Sequence, residues 1–360
     1  MPGSSASENS PAVSPEIWAL IQSLPKAELH LHLEGSIAPP IAAQLAARHG
    51  VSVTEHDVSA RYAPGDFAQF LDAFKWVTSF LRAPADYALV TTSLAEALLA
   101  QNLVYAEITL SVGVMLLRKQ DPLANFAAIR EAAAPFESRG LHINWIFDAV
   151  RQFGVPAARE VARLAIECKR ARPVETGVVA FGIGGDETAL PASDFASIYD
   201  SVAAAGLGRL IHAGEIGPAS AVRDAVEILG VSRVGHGIAA MHDPLLMDFL
   251  ASRRVALEFC PTSNLRTGAL ARQLGAPAAR AHQHPLASFF RRGVPITLST
   301  DDPAMFEISL NAEYALASRL GLSAPDLIRL AESSFDYAFL PAAEKQRYLQ
   351  SLRATAAGIL

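Results

Sequence analysis

The chain has 360 residues, 51% hydrophobic and 18% charged, enough to bury a core beyond the roughly 100–200 residues of a common domain, which excludes peptides, coiled coils and disordered tails. A formal charge of −6 leaves no global field to draw in nucleic acid or anionic lipid, so neither is an expected partner. Two cysteines, Cys168 and Cys260, form no CxxC pair and are too few for a disulfide scaffold, which points to the reducing cytoplasm.

Residues 1–15, MPGSSASENSPAVSP, are small, polar and Pro-rich, without the basic start and apolar stretch of a secretory signal, and are read as a disordered leader. Residues 16–360 are read as one catalytic domain. No apolar run approaches the ~18 residues needed to cross a bilayer. In chain order, strand-like runs then occur at Ala27–Leu33, Leu103–Leu110, His142–Val150, Gly177–Ile183, Gly208–Ala213, Arg233–Gly237, Arg254–Cys260 and Val294–Thr300. Helical period marks Tyr87–Gln101, Leu123–Ala134, Ala157–Arg170, Phe195–Ala205, Ala219–Leu229, Pro244–Ser252 and Pro285–Arg292 between them.

This alternation implies parallel strands joined by crossovers, and eight units is the number that closes an α/β fold into a single (β/α)8 TIM barrel. The competing open, doubly wound sheet opens its first helix on GxGxxG, whereas the first run here leads into His32-Leu33-Glu34-Gly35-Ser36. Val51–Ala83 is too long for a plain crossover and is expected to add helices over the barrel mouth after the first strand. Asn311–Leu360 reads as additional C-terminal helices.

Function in a barrel gathers at the C-terminal ends of the strands. The first run carries His30 and His32, whose spacing of two points both rings to the same, inward side. The fifth ends in His212-Ala213-Gly214-Glu215, the sixth in Gly235-His236-Gly237 and the eighth in Ser299-Thr300-Asp301-Asp302-Pro303. A lone strand histidine is ordinarily a hydrogen-bonded core or rim residue, but four such strand ends converge here on one axis. Two histidines at i, i+2 with a third histidine and a carboxylate make an N3O set that suits Zn²⁺ and leaves a position open for water.

Together with Pro25-Lys26-Ala27-Glu28-Leu29-His30-Leu31-His32-Leu33-Glu34-Gly35, these blocks resemble the signature blocks of adenosine deaminase-like amidohydrolases, in a likeness running from about Pro25 to Phe306. The resemblance implies a TIM barrel in which a single zinc, held by His30, His32, His212 and Asp301, supports hydrolytic removal of a purine 6-amino group. Zinc lowers the pKa of a bound water toward ~7. The resemblance further implies Glu215 as the acid facing ring N1 and His236 as the group that takes the water proton or steadies the oxyanion. Asp302 would bond N7 or the attacking water. The backbone N–H of Gly185, in Gly184-Gly185-Asp186-Glu187, would reach N3, glycine allowing the ring close to the chain. Two other zinc chemistries fail on the residues. Cytidine-type deaminases need a PCxxC that Cys260-Pro261-Thr262-Ser263 cannot complete. Binuclear relatives place a lysine at the end of the fourth strand, and Gly177–Glu187 has none, so one zinc per chain is expected.

Relatives of this kind act on adenine, adenosine or 5′-modified adenosines such as 6-amino-6-deoxyfutalosine, a menaquinone-pathway intermediate. The Gly-Gly-Asp-Glu run resembles the nucleoside enzymes. Glu34 stands where the adenosine enzymes carry the aspartate that contacts the ribose 5′-hydroxyl. Arg151, in Asp148-Ala149-Val150-Arg151-Gln152-Phe153, offers a cation for a 5′ benzoate, with Lys75 and Arg82 as rivals. The ranking is therefore 6-amino-6-deoxyfutalosine, then adenosine or 2′-deoxyadenosine, then adenine, with water as co-substrate. A catalytically silent nucleoside-binding barrel would have lost Glu215 or His236, and both are present. The sequence leaves the oligomeric state open.

Overall fold

Period-two burial makes each strand of this chain a wall between two environments. In β1 (Lys26–His32), Ala27, Leu29 and Leu31 are fully buried on the side that faces the surrounding helices, while Lys26, Glu28 and His30 alternate with them. Seven further strands repeat the arrangement: β2 (Leu103–Leu110), β3 (His142–Val150), β4 (Val178–Gly184), β5 (Gly208–Ala213), β6 (Arg233–His236), β7 (Ala256–Phe259) and β8 (Ile296–Leu298). They pair in parallel in the order β1 to β8, each with its sequence neighbour. A bridge between Leu31 and Asp301 brings the last strand end back to the first, with the His32 N–H donating to the Asp301 carbonyl at 2.8 Å and the Asp301 N–H to the His30 carbonyl at 3.1 Å. The result is the expected (β/α)8 barrel, with strand ends displaced by at most about two residues from the runs read in the sequence.

This computed structural model describes residues 13–63, 65–171 and 176–359. Most of the expected leader lies outside the described residues; at its end, Pro15 already opens the helix Pro15–Ser23, capped by the Ser14 hydroxyl. The segment after β1 folds into helices that include Glu55–Arg61 and Phe67–Thr78, each opened by a capping box, Thr54 with Asp57 and Asp66 with Gln69. The C-terminal stretch forms Leu310–Arg319, Ala324–Tyr337 and Ala342–Ala357. Two short helices after β7, Pro261–Arg266 and Ala269–Gln273, carry no periodic signal long enough to announce them. Among the described residues, no helix is long and apolar enough to cross a membrane.

The interior of the barrel is unusual in what it buries. A small apolar cluster of Ile146, Ala180 and Leu210 fills one side. On the other, the fully buried guanidinium of Arg233 pairs with Glu107 and Glu258, each at 2.6 Å. Such a buried network is costly unless every charge has a partner, so its value lies in orienting what it touches. What Glu258 touches is His30.

Candidate active site

Glu258 Oε2 lies 2.7 Å from His30 Nδ1. Burial opposes a charge on Glu258, but Arg233 and His30 hold its carboxyl below the usual range. The ring therefore donates through Nδ1, which leaves Nε2 facing the barrel mouth. There it meets Asp301 Oδ1 at 3.3 Å. The His30 ring centroid lies 5.3 Å from that of His32, 4.6 Å from His212 and 5.0 Å from His236. Four imidazoles and two adjacent carboxylates thus share one small volume at the C-terminal end of the barrel.

His30 Nε2, His32 Nε2, His212 Nδ1 and Asp301 Oδ1 are buried without any hydrogen-bond partner. Orphaned donors and acceptors are expensive in an apolar interior, and several converging on one point fit a cation. The donor atoms of His30, His212, His236 and Asp301 all lie within 4.8 Å of one another, as do those of His32, Asp301 and Asp302. All four expected ligands are therefore brought to one place, but the group within 4.8 Å that holds His30, His212 and Asp301 takes His236 as its fourth member, and His32 groups with Asp301 and Asp302. His32 stands at the rim, its Nδ1 turned to Asp302 Oδ1 at 3.6 Å and Asp301 Oδ1 at 3.8 Å.

Two residues reach this cluster through strained backbone. Strand alternation in β6 would send Gly235 inward and His236 outward; a φ of +59° at His236 turns its ring back into the mouth. Asp301 has a φ of +66° and is fixed further by the Ser263 hydroxyl, which donates to its Oδ2 at 2.7 Å. Close packing leaves no room at Gly35, where a Cβ would fall 1.8 Å from Asp302 Oδ1. The glycine of the His-Leu-Glu-Gly block thus seats the second aspartate.

Glu215 is buried in the mouth, its Oε2 3.7 Å from His236 Nε2. Burial, with Asp301 and Glu187 nearby, pushes its carboxyl well above the usual range, which favours the protonated form. The loop that carries it is built by Glu187, whose carboxylate accepts from the N–H groups of Gly214 at 2.6 Å, Gly217 at 2.5 Å and Ile216. Gln273 closes the same loop by donating to the Glu215 and Gly217 carbonyls at 2.9 and 2.8 Å.

Above the cluster lies a cleft of about 120 Å³, open to solvent. His32, His212, Glu215, His236, Asp301, Asp302, Asp148, Gly184 and Gly185 form its floor and inner wall. Gly185 has a φ of +87° and would press a Cβ to 2.4 Å from Gln152 Oε1, so its exposed backbone is what the cleft sees. The outer wall is aromatic: Phe67, Phe70 and Phe74, at helical spacing, with Phe153 opposite and Lys75 at the edge.

Two expected substrate contacts are corrected by this geometry. Arg151 does not line the cleft. Its guanidinium is buried and donates to the carbonyls of Glu187 and Leu190 at 3.1 Å and of His212 at 2.7 Å, tying the loop after β4 to the end of β5. Glu34 is likewise buried outside the cleft lining, its Oε1 accepting from the Ser111 N–H at 3.0 Å. Of the rival cations, Lys75 lines the cleft and Arg82 borders a separate surface hollow with Arg118 and Lys119. Sequence reasoning missed Glu258, Glu187 and Ser263, which act through other residues across long separations.

A parallel eight-stranded barrel with this donor set and a buried carboxyl at its mouth defines a metal-dependent hydrolase of the amidohydrolase kind. The chain belongs to the adenosine deaminase family, whose model matches residues 25–355. It is 39% identical over 342 residues to the aminodeoxyfutalosine deaminase of Streptomyces coelicolor, covering 94% of this chain and 86% of that protein. It is 35% identical to an adenine deaminase of Chelativorans sp., over 88% of this chain and 94% of that one. Among solved structures it is similar to an adenine deaminase from Arthrobacter aurescens, with a TM-score of 0.83, 28% identity and coverage of 92% of this chain and 98% of that chain. It also matches an amidohydrolase from Burkhoderia ambifaria with bound Zn, with a TM-score of 0.85, 25% identity and coverage of 98% and 97%.

Proposed function

We propose that the chain, in the cytoplasm, hydrolyses the 6-amino group of 6-amino-6-deoxyfutalosine to release ammonia, with one zinc per chain held by His30, His32, His212 and Asp301. The barrel from residue 16 onward is the catalytic unit. The observation that carries this reading is the convergence of partnerless metal-type donors and the buried Glu215 carboxyl beneath a cleft also lined by Phe67, Phe70 and Phe74. The zinc supplies an acidified water beside the purine.

The remaining work falls to side chains. Glu215 gives its proton to ring N1, which makes C6 electrophilic enough for water to add. His236 and Asp302 flank the position of the entering oxygen, and the Gly185 backbone offers its N–H to N3. The aromatic wall of Phe67, Phe70 and Phe74 takes the 5′ substituent, and Lys75, at its edge, is the cation nearest to a carboxylate there. An adenine deaminase reading draws on the 35% identical relative, but leaves that aromatic wall without an occupant. The test is kcat/KM for 6-amino-6-deoxyfutalosine, adenosine and adenine measured side by side. Preference for adenine by tenfold or more would overturn the proposed substrate.

A further inference from the structure

Behind His236, away from the cleft, a chain of hydrogen bonds runs through two more buried side chains, Asn264 and His284. The Leu286 N–H donates to His284 Nδ1 at 3.2 Å. His284 Nε2 lies 3.3 Å from Asn264 Oδ1, and Asn264 Nδ2 lies 3.2 Å from His236 Nδ1. His236, Asn264 and His284 are 1%, 0% and 4% exposed, so no solvent competes for these bonds. Neither Asn264 nor His284 lines the cleft or belongs to the donor cluster.

The sense of every bond follows from its far end. A backbone N–H can only donate, so His284 Nδ1 is an acceptor and carries no proton. Burial, with His236 nearby, pushes His284 down to about 3, so the ring is neutral and its single proton sits on Nε2. That N–H needs an acceptor, which fixes the Asn264 amide with its oxygen toward His284 and its NH₂ toward His236. An amide nitrogen only donates, so His236 Nδ1 is the acceptor and the His236 proton is on Nε2. Nε2 is the atom that faces the reaction site, 3.7 Å from Glu215 Oε2 and 3.8 Å from Asp301 Oδ2.

We propose that Asn264 and His284 are positioning residues that lock His236 as the Nε2–H tautomer, making it a hydrogen-bond donor to the oxygen that adds to C6 and not the base that deprotonates it. The inference rests on the deaminase reading above. With Nε2 already protonated, the bond from oxygen to C6 forms while the water proton passes to the Glu215 carboxylate, which has just protonated N1. When the C6–N bond breaks, Glu215 returns that proton to the departing ammonia and takes the one from the C6 hydroxyl. Glu215 thus ends as it began, and His236 keeps its proton throughout.

The test uses the zinc-loaded full chain labelled with ¹⁵N-histidine, in which long-range ¹H–¹⁵N spectra read the tautomer of each ring and His236→Gln identifies the His236 signals. Nε2–H is expected for His236 in the wild-type protein, and an Nδ1–H tautomer there overturns the proposal without any variant having to fold. Asn264→Asp keeps the shape but removes the donor; it is expected to lower kcat roughly 10²- to 10⁴-fold with KM and zinc content within about threefold of wild type. His284→Ala should lose a smaller part of kcat, and His284→Gln, which can still donate to Asn264 Oδ1, should recover most of it. Wild-type kcat in Asn264→Asp, or loss of zinc in step with kcat, overturns the lock. The spectroscopic arm needs no substrate, so failure of the chain to turn over 6-amino-6-deoxyfutalosine would refute the proposed function and leave this inference standing.

Discussion

Replacing Arg151 with alanine separates a substrate contact from a strut, because the two roles move different quantities. The side chain gives charge-assisted hydrogen bonds to three carbonyls, those of Glu187, Leu190 and His212, in a site only 3% exposed. Each such bond is worth about 1.5–3 kcal/mol when its partner is left buried and unpaired, though water entering the hole recovers part of that, so a net loss of about 4 kcal/mol is expected. A chain of 360 residues unfolds with an entropy of about 0.8 kcal/mol/K, so Tm should fall by about 5 °C. Because His212 and the Glu187-braced loop of Glu215 both hang on this residue, kcat/KM should fall by similar factors for adenosine and for 6-amino-6-deoxyfutalosine. Thermal unfolding of the zinc-loaded protein and steady-state rates on both substrates are the assays. An unchanged Tm with a loss confined to the carboxylate-bearing substrate would refute the reasoning and return Arg151 to the cleft.

Glu215→Gln keeps the shape of the side chain but not the proton for N1, so kcat should drop 10²- to 10⁴-fold with zinc retained; near-normal turnover would remove its role. In the metal-free protein, burial opposes charge on His30 and His32, but Asp301 and Glu258 around the first and Asp302 and Asp301 around the second raise them to about 10 and about 9. Both rings therefore hold an extra proton at pH 7 that a metal must displace, and zinc affinity should strengthen with pH by up to about 100-fold per unit between pH 6 and 8, read by calorimetry in buffers of different ionisation heat. A pH-independent affinity would refute that ligand set. Gly35→Ala forces the Asp302 carboxyl aside from a contact of 1.8 Å and should lower kcat roughly 10²-fold with zinc content intact, which metal analysis alongside kinetics checks. Lys75 is 66% exposed and screened, so Lys75→Ala should cost at most about fivefold in kcat/KM for a carboxylate-bearing substrate and nothing for adenosine.

What could be read from the sequence was what depends on local period. Alternation in β1 marks His30 and His32 as same-sided before any contact is known, and strand ends gather at one face of a barrel whatever the helices do. Contacts set by long separations could not be read that way. His30 and Glu258 are 228 residues apart, and nothing near either announces the other. Asn264 was within reach of the same strand-end logic: Cys260-Pro261-Thr262-Ser263-Asn264 follows directly on β7, and polar residues there belong to the mouth as surely as those after β8.

Arg151 and His236 mark where local rules fail for a physical reason. At the end of β3 a cation can reach either outward to the cleft or sideways to the carbonyls of the next loops, and the turn Arg151–Phe153, ending at Gly154 with a φ of +88°, sends it sideways. In β6 the alternation that correctly places the β1 histidines would point His236 at the helices, and only its left-handed backbone returns it to the site. Such a conformation costs on the order of 1–3 kcal/mol for a residue with a Cβ, and it persists only where the surroundings over-determine it. Asn264 supplies part of that determination, since its bond to Nδ1 exists only with the ring turned inward. The strain at His236 and the chain of hydrogen bonds behind it are then two halves of one device: the backbone aims the ring, and the bonds decide which of its nitrogens carries the proton.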